Sequence, residues 1–124
     1  MILNNGKYAD RVILKPETVR LMLTPETVPV ISKTVKARTA TRTLGWDHQS
    51  PYASNRGTKL SDRAIGHGGF TGTTLWIDPE NQLYVIFLSN RLHPDNQGNV
   101  NTLVGKLTDD IVTALEEDPK APSE

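Results

Sequence analysis

The chain has 124 residues, 36% of them hydrophobic and 23% charged, a balance that fits one small globular domain better than a disordered tail. Fourteen basic and fourteen acidic side chains cancel, so no long-range field favours nucleic acid, an anionic membrane or an acidic substrate. The lack of cysteine excludes disulfides, thiolate catalysis and cysteine-ligated zinc.

In chain order, Met1-Ile2-Leu3 followed by Asn4-Asn5-Gly6 reads as the end of a helix with a glycine stop. A helix that ends so early leads us to expect a truncated chain in which Met1 is not a natural start. Residues 1–10 lack a basic stretch followed by an apolar run of signal-peptide length, and no window is long enough to span a bilayer. Over residues 14–22, Pro16 at a first helical position, Glu17 in the first turn and apolar Val19 and Met22 predict a short helix. Thr24-Pro25 should end it. Residues 31–43 carry Lys33, Lys36, Arg38 and Arg42 among threonines and valines, with no aromatic residue to stack on a base. They read as an exposed strand or loop and not as a nucleic-acid site. Residues 1–42 are therefore expected to be helical or irregular.

Thr43-Leu44-Gly45-Trp46-Asp47 reads as one short strand, and residues 49–62, rich in Ser, Asn, Gly and Pro, as a surface loop long enough to line a site. Residues 73–78 and the apolar run 83–88 predict an antiparallel hairpin around the turn Pro79-Glu80-Asn81-Gln82, its second strand buried on both faces. After a polar linker over 91–98, Asn99 can cap a helix. Its apolar positions Val100, Leu103, Val104, Leu107, Ile111, Ala114 and Leu115 form one stripe that should lie on the sheet. Residues 116–124 read as a frayed tail in which Glu116, Glu117 and Asp118 are solvated and do not form an acid/base pair. The expected fold is α+β: an antiparallel sheet of three or slightly more strands with the C-terminal helix packed on it, residues 43–115 forming that unit.

The segment that could carry chemistry is Gly66-His67-Gly68-Gly69-Phe70-Thr71-Gly72, where glycines surround one titratable side chain just before the hairpin. Glycine weakens a strand, so this density needs a reason. One is a bulge or tight turn; the other is that missing side chains let a ligand reach the backbone, whose amides can then donate to an anion or oxyanion. His67 can donate a hydrogen bond or carry charge near neutral pH. His48 and His93 are expected in loops. No His-x-His or His-Glu-x-x-His spacing, phosphate loop or dinucleotide fingerprint occurs, so neither a metal nor a cofactor is expected.

The string from Gly66 through Thr73-Thr74-Leu75-Trp76-Ile77-Asp78-Pro79-Glu80, with Val85-Ile86-Phe87-Leu88-Ser89-Asn90-Arg91 after it, resembles the last motif and terminal strands of the serine β-lactamase, penicillin-binding protein and esterase superfamily. It looks closest to the class C and esterase-like branch. Leu44-Gly45-Trp46-Asp47, the Ser50-Pro51-Tyr52 loop and residues 1–22 also match segments that precede this motif, so the likeness covers most of the chain. The resemblance implies a partial β-lactamase/transpeptidase-like fold and a periplasmic or secreted location. His67-Gly68-Gly69 takes the place of the family's Lys-Thr-Gly element. By resemblance His67 would assist the catalytic base or bind the substrate's anionic group, the backbone amide of Phe70 would stabilise the tetrahedral intermediate, and Gly68 and Gly69 would line the substrate. The Phe70 ring is expected to pack.

Two departures matter. Gly68 lacks the hydroxyl many β-lactamases carry there, which puts lactamase activity in doubt and leaves esterase or peptidase activity open. None of the serines 32, 50, 54, 61, 89 and 123 is followed three positions later by lysine, and no tyrosine stands in a Tyr-x-Asn arrangement. The expectation is thus the C-terminal portion of a serine hydrolase that cleaves an ester, amide or β-lactam carbonyl through an acyl-enzyme, inactive alone, its partner being the missing N-terminal portion of the same fold. A non-catalytic binding or assembly module that keeps the terminal sheet is the alternative. Either should expose an apolar edge and face that favours self-association.

Overall fold

The structure, a computed structural model, describes residues 1–117. The glycine stop near the start closes a single 3-10 turn, Ile2–Asn4. A two-residue ribbon follows, β1 (Lys7–Tyr8) paired with β2 (Arg11–Val12). Helix α1 (Pro16–Leu23) has the predicted proline start with Glu17 in its first turn, and it buries Val19. The chain leaves it at Thr24, ahead of Pro25, as a proline stop requires.

The remaining strands are β3 (Glu26–Pro29), β4 (Thr39–Thr43), β5 (Trp46–Gln49), β6 (Ile65–Gly68), β7 (Thr74–Asp78) and β8 (Leu83–Phe87). They pair antiparallel in simple sequence order as one six-stranded sheet. The α+β class holds, while the sheet is larger than the sequence led us to expect, because β3 and most of β4 fall in the stretch expected to be helical or irregular. Strand β4 realises the strand in the stretch 31–43 that reads as an exposed strand or loop, while β3, four residues ending in Pro29, has no apolar run to announce it. The stretch 43–47 is also not one strand. Thr43 ends β4 and pairs with Trp46, which opens β5, and Leu44-Gly45 turns between them with Gly45 at φ +81°.

Directly paired residues share a face of the sheet. Asp47, Gly66, Trp76 and Val85 are aligned on one face; Ile65 with Ile77 and Tyr84, and His67 with Leu75 and Ile86, are on the other. The core on the first face joins Trp76 to Leu60, Ala64 and Val112, so the loop over 50–64 and the C-terminal helix cover it together. Strand β8 is not buried on both faces. Val85 is buried, but Tyr84 and Ile86 remain 62% and 57% exposed, and the strand is one of the two edges of the sheet, β3 being the other.

Helix α2 (Asn101–Glu117) starts where expected, the Asn99 side chain accepting from the Asn101 amide at 3.0 Å. Its buried face is Val104, Gly105, Thr108 and Val112, whereas Leu103, Leu107 and Leu115 of the predicted stripe are exposed. The reason is local. A side chain at Gly105 would sit 3.2 Å from the Ser54 carbonyl, so the helix backbone lies against the 50–64 loop there. Asp109 then accepts from the Thr58 and Lys59 amides at 2.6 and 2.8 Å. Glu116 and Glu117 are helical and not part of a tail; the expectation for 118–124 lies outside the described residues. Among the described residues no helix is long and apolar enough to cross a membrane.

Candidate functional site

At the end of β6 the chain makes a tight turn before entering β7. The Gly69 amide donates to the Thr73 carbonyl at 2.6 Å and the Gly72 amide to the Gly69 carbonyl at 2.9 Å, with Gly72 at φ +97°. Those two amides are consumed inside the turn. The Phe70 amide has no acceptor among the described residues, so it is free to donate outward. An unengaged backbone amide held in a rigid turn can stabilise an oxygen that gains negative charge.

His67 is exposed, and its Nδ1 lies 2.8 Å from the Gly68 carbonyl. A carbonyl only accepts, so this contact puts a hydrogen on Nδ1 and leaves Nε2 without a hydrogen-bond partner among the described residues. The glycines beside it fit neighbouring side chains. A Cβ on Gly66 would come within 2.3 Å of the Trp76 ring carbons, so this glycine makes room for the buried indole. A Cβ on Gly68 would lie 2.5 Å from Nδ2 of Asn55. Asn55 is only 3% exposed; its Nδ2 donates to Thr74 Oγ1 and its Oδ1 accepts from Trp76 Nε1, both at 3.2 Å. The missing hydroxyl at position 68 thus has a structural counterpart: a carboxamide from the 50–64 loop occupies that space.

These groups border an open cavity of about 450 Å³ lined by Arg42, Asp47, Tyr52, Asn55, His67 to Phe70, Arg91, Asn99 and Asn101. One wall is the cross-strand ion pair Arg42 to Asp47, 2.9 Å apart, with Asp47 also accepting from Ser50 Oγ at 2.8 Å. Tyr52 and Asn55 come from the 50–64 loop, which is fastened at its far end by two carboxylates. Asp109 holds Thr58 and Lys59 as above. Asp78 accepts from the Ser61 amide and hydroxyl at 2.7 and 2.6 Å, and from the amide and Nδ2 of Asn81. Burial acts to raise both acids, but these hydrogen bonds outweigh it and hold each below the ordinary carboxylate value.

The structure brings His67, Gly68, Gly69 and Phe70 to one cavity. The Phe70 ring is not packed in the core: it is 73% exposed, with the Arg91 guanidinium 4.7 Å from its centroid. His48 is not in a loop but on β5, buried at 7% exposure, while His93 lies in the turn-rich segment after β8. Asn55 and Arg91 were not singled out from sequence. Asn55 sits in a stretch of ordinary loop composition and Arg91 at the end of the Val85 to Arg91 string, so neither carries a local signal; only folding brings them to the glycine-rich turn.

Comparison with known proteins adds three findings. The beta-lactamase family model matches residues 2–109. A protein of Escherichia coli (strain K12) named "Putative D-alanyl-D-alanine carboxypeptidase" is 33% identical over 105 residues, which cover 81% of this chain and 22% of that protein. An "N-acetylmuramyl-L-alanine amidase" of Bacillus subtilis (strain 168) is 29% identical over 110 residues, 85% of this chain and 23% of that protein. The chain spans less than a quarter of the length of these relatives.

Proposed function

The chain belongs to the beta-lactamase family, a family of serine hydrolases, and from that premise we propose that it supplies the oxyanion strand and substrate-lining turn of a hydrolase whose nucleophile lies outside these 124 residues. The observation that carries this reading is the Phe70 amide, unengaged among the described residues, immediately after His67-Gly68-Gly69 in the turn that borders the cavity. In the reaction a serine oxygen adds to the substrate carbonyl, and the carbonyl oxygen becomes an anion that takes a hydrogen bond from the Phe70 amide. The intermediate collapses, the leaving group departs with a proton, and water hydrolyses the resulting acyl-enzyme. His67 assists through Nε2, as an acceptor toward the catalytic base when neutral or as a donor to an anionic substrate group when protonated. Gly68 and Gly69 leave the backbone open to the substrate. The names of both relatives describe cleavage at amide bonds, which supports an amide among the ester, amide and β-lactam carbonyls.

The partner this reading requires is the N-terminal portion of the same fold. The free edge of β8 and the exposed Tyr84, Ile86 and Leu88 offer an apolar surface on which it can pack. A second reading, a non-catalytic module, draws on the absence of Ser-x-x-Lys and Tyr-x-Asn from the chain. Hydrolysis of a chromogenic ester and a chromogenic β-lactam separates the two. The serine hydrolase reading predicts turnover only when the chain is extended by its upstream reading frame, with loss in His67→Ala. An extended protein inert to both substrates favours the module, and robust turnover by the 124 residues alone contradicts the assignment of the nucleophile to another segment.

A further inference from the structure

Among the described residues, the carbonyls of the turn that carries the Phe70 amide are bonded from outside by one residue. Arg91 donates from its backbone amide to the Thr71 carbonyl at 2.9 Å and from Nε to the Phe70 carbonyl at 2.7 Å. Its Nη1 donates to the Gly98 carbonyl at 2.9 Å, and the guanidinium lies 4.7 Å from the centroid of the Phe70 ring. No carboxylate lies within salt-bridge distance of Arg91 among the described residues, so its charge is directed at carbonyl dipoles and the aromatic face.

The Phe70 N–H lies in the peptide plane before Phe70, so its direction is kept by whatever keeps that plane and the turn around it in place. The plane before it contains the Gly69 carbonyl, which is fixed inside the turn by the Gly72 amide. The plane after it contains the Phe70 carbonyl, and only Arg91 bonds that oxygen among the described residues. Without the Arg91 side chain the second plane is free to rotate, and the turn that sets the Gly72 amide on the Gly69 carbonyl, and so keeps the plane of the Phe70 amide in place, loses that outside support. We infer that Arg91 is a positioning residue for the oxyanion donor, tying the Phe70 turn to the segment before α2 through Gly98; this rests on the serine hydrolase reading above. A guanidinium suits the task because its rigid fork serves two carbonyls while its charge sits over the ring. An ammonium supplies charge without that geometry.

Two measurements test the inference. The first uses the full-length protein with a neutral chromogenic ester. Arg91→Gln should lower kcat about 10²-fold, the scale of a misaligned catalytic group, with KM changed less than about threefold. Affinity for a boronate that adds to the serine should fall by the same factor as kcat/KM, the pH profile should stay in place, and Arg91→Lys should recover part of the loss. A variant that keeps wild-type kcat overturns the inference, as does one that loses KM alone. The second measurement needs no nucleophile. In the 124-residue chain, backbone NMR of Arg91→Gln should show the Phe70 to Thr73 amides becoming mobile on the picosecond to nanosecond scale while β7 and β8 stay ordered. A turn as rigid as wild type overturns the inference whatever the catalytic outcome. Failure of wild-type full-length protein to hydrolyse any substrate tells against the serine hydrolase reading and leaves the NMR result to decide the role of Arg91 in ordering the turn.

Discussion

Gly68 and Asn55 are a matched pair, one residue's missing side chain being filled by the other's carboxamide. Replacing Gly68 with Thr would drive a Cβ to within 2.5 Å of Asn55 Nδ2, and the carboxamide would have to give up its bonds to Thr74 and Trp76. We expect Gly68→Thr to cost about 2 kcal/mol, the usual scale of overpacking, measured by urea unfolding of the chain. Adding Asn55→Gly should recover part of that loss, so the two substitutions should be non-additive. At this scale the sequence revealed the glycine-rich motif and His67. It did not reveal why the glycines are there, because the Trp76 indole and the Asn55 amide arrive from other strands and loops. It also misjudged the Phe70 ring, which is aromatic by composition but stacks on a guanidinium at the surface.

Among the elements, the 50–64 loop links stability to the site. It reads as polar surface, yet Asn55, Leu60 and Ala64 within it are buried, and the carboxylates of Asp78 and Asp109 fasten it to β7 and α2. Both acids are held below their ordinary value of 3.8 in the folded chain, so their contribution to stability is present above that value and is lost as pH falls through the folded value. Denaturant stability measured between pH 6 and pH 3 should therefore decline below about pH 4. Asp109→Asn, which keeps one acceptor oxygen and cannot titrate, should flatten part of that decline; an unchanged slope would remove Asp109 from the account. Helix α2 shows what a hydropathy pattern misses. Its start and length were legible, but Gly105 lets it approach the loop closely, and Leu103, Leu107 and Leu115 of the apolar stripe are left exposed. Strand β3 escaped notice because four residues ending in a proline give no strand pattern and only cross-strand pairing reveals it, whereas β4 lies in the stretch read as an exposed strand or loop.

Across the whole molecule, the sheet is covered on the face of Trp76 and more open on the face of Leu75, Tyr84 and Ile86, with β8 unpaired at its edge. Such a surface favours association. Sedimentation of the 124-residue chain should show self-association that rises with concentration and is weakened by Tyr84→Lys with Ile86→Lys; a strictly monomeric profile at high concentration would show that the surface is not adhesive. The family and the α+β class were readable in the string around His67, while the six-stranded extent of the sheet was not. Whether the serine nucleophile proposed for this chain lies outside its 124 residues is decided by locating a covalent label. The extended protein is treated with a serine-reactive fluorophosphonate and mapped by peptide mass spectrometry. We expect one adduct on a serine upstream of Met1 and none on serines 32, 50, 54, 61, 89 or 123; an adduct on any of those six, or no adduct on a folded protein, refutes the proposal.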